Sequence, residues 1–110
     1  GHAEEDFAAV ITALEQRLGE GALVVDVRED DEYLGGHVAG AVFMPLGSVP
    51  DRVGELPDDA PFLVICQAGG RSARAVQFLR AQGLDATNVA GGTGAWVNSG
   101  RPVVTGSDPV

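Results

Sequence analysis

The chain of 110 residues has no lysine, one cysteine and no long apolar run. Each scarcity removes a class of function. A single cysteine leaves no internal disulfide framework and no cysteine-rich metal site. No stretch approaches the roughly 18 apolar residues that a membrane-spanning helix needs. No charged segment followed by an apolar one marks a signal peptide at the visible start. All seven cations are arginine, a bias of the kind a GC-rich genome imposes, and they face sixteen acids for a net charge of −9. That balance argues against nucleic acid and membrane as partners. What is plentiful is hydrophobic content, at 45% of residues. That is too much for intrinsic disorder and, at this length, enough for one core without staples. Residues 3–110 are therefore expected to form a single domain. Gly1-His2 reads as the remnant of an expression tag, which implies a trimmed natural start, and the expected location is cytoplasmic.

Periodicity predicts the elements. Phe7, Val10, Ile11, Leu14 and Leu18 have the one-face spacing of an amphipathic helix, predicted from Glu4 to Leu18. Glu4, Glu5 and Asp6 suit the positive end of its macrodipole, and Gly19 is a plausible stop. Ala22 to Val27 predicts a strand buried on both faces. Asp30 to Leu34 predicts a helical turn stopped by Gly35-Gly36. Ala41 to Met44 predicts a strand ended by Pro45, and Ser48 to Leu56 a short helix with Pro50 in its first turn. Phe62 to Ile65 is the most apolar run, and Cys66 follows it at once. Ser72 to Gln82 predicts a helix with Gly83 at its end. Ala86 to Ala90 predicts a strand, Gly91-Gly92 a turn, Thr93 to Asn98 a last helix, and a tail follows Gly100. Strands alternating with helices, without hairpin signals, predict an α/β sandwich on a parallel sheet. Ligands in such folds bind beyond the carboxyl ends of strands, which is where Cys66 falls.

The segment Cys66-Gln67-Ala68-Gly69-Gly70-Arg71-Ser72 joins a predicted strand to a predicted helix. So tight a reversal needs positive φ, which Gly69 and Gly70 supply at little steric cost. The N–H groups of the loop and of the first helical turn then point inward as an anion-binding nest. A sulfur there is favoured as thiolate, the nucleophilic form, with its pKa below the free value of about 8.5. Arg71 adds a fixed positive charge beside it. A lone cysteine is most often a buried filler. Two glycines and an arginine directly after a strand end are more than packing requires, so the functional reading prevails. It expects an ionised sulfur within reach of solvent, ringed by amides.

Four motifs in order resemble the single-domain rhodanese family of sulfurtransferases. They are Asp26-Val27-Arg28-Glu29, Glu32-Tyr33-Leu34-Gly35-Gly36-His37-Val38-Ala39-Gly40-Ala41, the loop from Cys66 to Ser72, and Val89-Ala90-Gly91-Gly92-Thr93-Gly94-Ala95-Trp96. The resemblance spans Leu23 to Trp96. It implies a three-layer α/β/α fold around a mainly parallel sheet of four to five strands. It also implies a cycle in which a donor such as thiosulfate gives its outer sulfur to Cys66, and an acceptor such as cyanide or a thiol removes it. No cofactor and no metal are implied. By the same resemblance Cys66 is the nucleophile, and Gln67, Ala68, Gly69 and Gly70 supply backbone donors. Arg71 and Ser72 close the loop, while Asp26, Arg28 and His37 are structural residues near the site. The expected partners are a small sulfur donor and acceptor, or a protein acceptor, served by a monomer or weak dimer. Some members that favour thiosulfate carry cations just after the cysteine, whereas Gln67 and Ala68 are uncharged. That keeps open a persulfide carrier, or a regulatory module, in a sulfur relay. The related phosphatases place one residue more between Cys and Arg, a wider cradle than this one. The family's short first strand is not evident here, and Pro102 to Thr105 is a candidate to pack at that edge. Asp26 with Arg28 reads as an ion pair that orders loops. Arg74, one turn beyond Arg71, reads either as positive potential at the mouth or as a solvated residue. The acids Glu29, Asp30, Asp31 and Glu32 read as a solvated helix start, and Trp96 as packing.

Overall fold

In the computed structural model, which describes residues 7–110, four short apolar runs pair into one sheet. The strands are β1 (Val24–Asp26), β2 (Val42–Phe43), β3 (Phe62–Ile65) and β4 (Ala86–Asn88). Their order is β2-β1-β3-β4 and every neighbouring pair is parallel. The helices are α1 (Phe7–Gly19), α2 (Asp30–Gly35), α3 (Val49–Arg52), α4 (Gly70–Ala81) and α5 (Gly92–Asn98). The predicted helix start at Glu4, Glu5 and Asp6, and Gly1-His2, lie outside the described residues.

The two-residue period of a strand divides the core. Phe62 and Val64 of β3, with Cys66 after it, join Ala75, Val76 and Leu79 of α4 in one apolar cluster. Leu63 and Ile65 turn the other way and join Ile11, Leu14 and Trp96 of α1 and α5. The result is the expected three-layer α/β/α arrangement. All four side chains of β3 are at most 7% exposed, and each such burial contributes about 1.5–3 kcal/mol. Because the strands are parallel, their carboxyl ends meet at one edge of the sheet.

Boundaries differ from expectation in instructive ways. The paired segments are shorter than the apolar runs, although Leu63 N still donates to Leu23 O and Val27 N to Ile65 O at the ends of β1. The single helix expected from Ser48 to Leu56 is instead α3 flanked by two 3₁₀ turns, Leu46–Ser48 and Val53–Glu55. The chain after Gly100 is strapped down rather than trailing. Trp96 Nε1 donates to Pro102 O at 2.8 Å. His37 and Val104 exchange two backbone bonds, and Gly106 N and Gly40 N bond to Leu34 O and Pro109 O. The segment considered for the sheet edge, Pro102 to Thr105, thus makes a single antiparallel bridge to His37 and no strand. Among the described residues, no helix is long and apolar enough to cross a membrane.

Candidate active site

Cys66 leaves β3 at the edge where the strands end, and α4 begins four residues later at Gly70, earlier than the predicted Ser72. Of the two glycines expected at positive φ, only Gly69 adopts it, at 109°. Gly70 is already helical, so one left-handed residue completes the reversal. A second glycine pair completes the site from across the sheet edge. Thr93 N and Gly94 N, in the first turn of α5, donate to Cys66 O and Gln67 O at 2.8 and 2.9 Å. That approach is open only because Gly92 has no Cβ. A Cβ there would lie 2.3 Å from Cys66 O, and its φ is 60°. The turn expected at Gly91-Gly92 is therefore also the seat of the cysteine's own carbonyl.

The sulfur accepts hydrogen bonds from Gly69 N at 3.1 Å and Ser72 Oγ at 3.2 Å. The amides of Ser72 and Ala68 also favour its charged form. Cys66 is 1% exposed and packs in the α4 cluster. Burial is the largest single influence and pushes the thiol up. The Ser72 hydroxyl and the amides of Ser72, Gly69 and Ala68 together outweigh it and hold the thiol below its ordinary value. The residue is far less open to solvent than the loop sequence suggests. It lies at the floor of a cavity of about 470 Å³ lined by Gln67, Ala68, Gly70, Arg71 and Arg74. A second cleft of about 580 Å³ against Phe7, Ile11 and Ala95 shares Gln67 and Ala68 with it.

Arg71 is not the uncompensated charge expected beside the sulfur. Its fork binds Glu32 bidentately, Nη1 to Oε1 at 2.6 Å and Nη2 to Oε2 at 2.9 Å. Those bonds hold the Glu32 carboxyl down to about 2. Glu32 also accepts from Glu29 N at 3.0 Å, closing the first turn of α2. One of the four acids read as a solvated helix start is thus the partner of the cysteine loop. The two residues are 39 apart in the chain, and local spacing carries no sign of their pairing.

Asp26 and Arg28 are buried, at 0% and 3% exposure, and paired through Arg28 Nη2 at 2.9 Å. Arg28 then reaches outward, donating to Gln67 Oε1 at 3.1 Å and to Gly36 O at 2.8 Å. The pair therefore links the end of β1 to the cysteine loop and to the turn after α2. His37 does not join them. Its ring is stacked on Tyr33, with centroids 3.7 Å apart. Its nitrogens lie 2.8 Å from Tyr33 O and Asp108 O, so it clamps the terminal strap and does not line the cavity. Asn88, which the sequence reading passed over, does join the site. From the end of β4 its Oδ1 lies within hydrogen-bond reach of Ser72 Oγ, as an alternative acceptor to the sulfur, and its Nδ2 donates to Gly69 O at 3.2 Å. An amide at the carboxyl end of a strand, within Ala86-Thr87-Asn88-Val89-Ala90, was the available signal.

A parallel α/β/α domain thus holds a hydrogen-bonded cysteine just beyond the carboxyl end of β3. The family model "Rhodanese-like domain" matches residues 10–99, and the chain belongs to that family. It is 34% identical over 92 residues to the putative sulfurtransferase YtwF of Bacillus subtilis, covering 82% of this chain and 89% of the relative. It is 41% identical over 85 residues to the thiosulfate sulfurtransferase GlpE of Pseudomonas putida, covering 76% and 77%. Among solved structures, a rhodanese-related protein of Thermoplasma volcanium superposes with a TM-score of 0.81. It is 34% identical, over 87% of this chain and 95% of that one.

Proposed function

We propose that the protein is a sulfurtransferase that carries a sulfane sulfur on Cys66 from a donor such as thiosulfate to a thiophilic acceptor, cyanide or a thiol. The observation that carries this reading is a buried sulfur at a cavity floor whose thiolate is hydrogen-bonded by Gly69 N and Ser72 Oγ. In the first step the thiolate attacks the outer sulfur of thiosulfate. A sulfur–sulfur bond forms to Cys66, the donor's sulfur–sulfur bond breaks, and sulfite leaves with the electron pair. In the second step the acceptor attacks the outer sulfur, and Cys66 departs as thiolate. The amides of Ala68, Gly69 and Ser72 favour negative charge at the loop throughout, as preorganised donors do. Gln67 and Gly70 line the cavity that admits the donor. Asp26 and Arg28 fix the Gln67 side chain.

A second reading, a carrier serving a protein partner, has its own support. Gln67 and Ala68 are uncharged and the Arg71 charge is offset by Glu32, so little in the loop attracts a small dianion. One experiment tests both. Incubation with thiosulfate followed by intact mass should reveal the gain of one sulfur, removed by dithiothreitol and absent in Cys66→Ser. Gain only from a persulfidated protein or thiol would favour the carrier. No gain from any sulfane donor would overturn sulfur transfer at Cys66.

A further inference from the structure

The Ser72 hydroxyl has one proton and two claimants. Its Oγ is 3.2 Å from Cys66 Sγ and 2.5 Å from Asn88 Oδ1, and a hydroxyl donates once. The Asn88 amide has a defined direction, because its Nδ2 donates to Gly69 O at 3.2 Å and so leaves Oδ1 toward Ser72. With Cys66 as a thiol the donors form an unbroken series. The S–H points to Ser72 Oγ, the Ser72 O–H to Asn88 Oδ1, and the Asn88 N–H to Gly69 O. With Cys66 as a thiolate, Ser72 must turn its proton to the sulfur, and Asn88 Oδ1 loses its donor.

We propose that Asn88 is a positioning residue that sets the acidity of Cys66 by competing with the sulfur for the single proton of Ser72. The proposal deepens the reading of Cys66 as the reacting group and takes its purpose from that reading. Through the transfer cycle the hydroxyl is a rotor. It serves the sulfur in the bare thiolate. It returns to Asn88 once Cys66 Sγ is bonded to a second sulfur and the charge has moved outward. Asn88 thereby favours the loaded state over the unloaded one. The cations facing this cavity are Arg71, paired with Glu32, and Arg74; neither hydrogen-bonds to Ser72 or Asn88. Gly69 O also accepts from Ala73 N at 3.1 Å, so the loop keeps a tether when Asn88 is removed.

The test is the ionisation midpoint of Cys66, read from the pH dependence of iodoacetamide alkylation and from thiolate ultraviolet absorbance. It is measured in the parent, Asn88→Ala, Ser72→Ala and the double variant. Asn88→Ala should lower the midpoint by about 0.5 unit, roughly threefold more thiolate at a given pH below it. Ser72→Ala should raise it, and raise it more when residue 88 is alanine. An equal effect of Ser72→Ala in both backgrounds would overturn the proposal. Should Ser72→Ala not fold, Asn88→Ala decides alone, and an unmoved or raised midpoint overturns it. No sulfur donor enters the measurement, so a chain that takes up no sulfur still gives the answer.

Discussion

Glu32 offsets the charge that Arg71 brings to the cysteine loop. The loop sequence alone leads one to expect that Arg71→Ala raises the thiol's pKa, because a nearby cation is lost. With both oxygens of Glu32 on the guanidinium, the more informative substitution is Glu32→Gln. It leaves Arg71 uncompensated beside the cavity, so the alkylation midpoint of Cys66 should fall and uptake from an anionic donor should quicken. A midpoint that stays or rises would mean that the loop amides and Ser72 alone set reactivity. The same variant has a signature in acid. The Glu32 carboxyl is depressed from 4.5 to about 2 in the folded chain. The pair's stabilisation is therefore complete above the unfolded value and is lost as pH falls through the folded one. Both side chains are about one-third exposed, at 34% and 29%, and such pairs contribute at most about 1 kcal/mol. Urea midpoints of parent and Glu32→Gln should differ at neutral pH and converge as pH drops toward 2.

At the scale of elements, α5 has two tasks, packing Trp96 into the core and presenting Thr93 N and Gly94 N to the cysteine loop. Gly92→Ala tests the second. Its Cβ would meet Cys66 O at 2.3 Å and Gln67 O at 2.7 Å, at a φ of 60°. The expected cost is on the order of 1–3 kcal/mol of stability for the backbone strain, with a larger loss of Cys66 alkylation rate as the loop is pushed aside. Urea denaturation and alkylation of the same protein measure both, and unchanged alkylation would separate α5 from the site. The elements themselves were largely legible. Phe62 to Ile65 is a continuous apolar run because both its faces are covered, and the 3.6-residue spacing of Ile11, Leu14 and Leu18 marks the buried side of α1. Legibility ended where a contact joins distant elements. Asn88 and Ser72 are 16 residues apart and Glu32 and Arg71 are 39 apart. Only the parallel sheet, which brings its strand ends to one edge, puts such residues together. The early start of α4 has the same origin, since Gly69 turns against Gly91 and the α5 segment holds the Cys66 carbonyl.

For the whole molecule, a net charge of −9 repels a small anion at long range. The arginines are mostly spent against that excess. Arg17, Arg28, Arg52, Arg71 and Arg101 each pair with an acid, and Arg80 Nε donates to Ala86 O. Arg74 lines the cavity, and among the described residues it forms no ion pair. It is therefore the cation available to an incoming anionic donor. Arg74→Ala should raise KM for thiosulfate by roughly fivefold, about 1 kcal/mol for one exposed charge, with the effect shrinking at high salt. Steady-state kinetics at two ionic strengths measure this. An unchanged KM would leave Arg74 as a solvated surface residue.

The cysteine's carbonyl is tied to the start of α5, and its side chain is 1% exposed. In the proposed transfer the reacting sulfur is backed by a fixed carbonyl, and donor and acceptor reach it by way of the cavity lined by Gln67, Ala68, Gly70, Arg71 and Arg74.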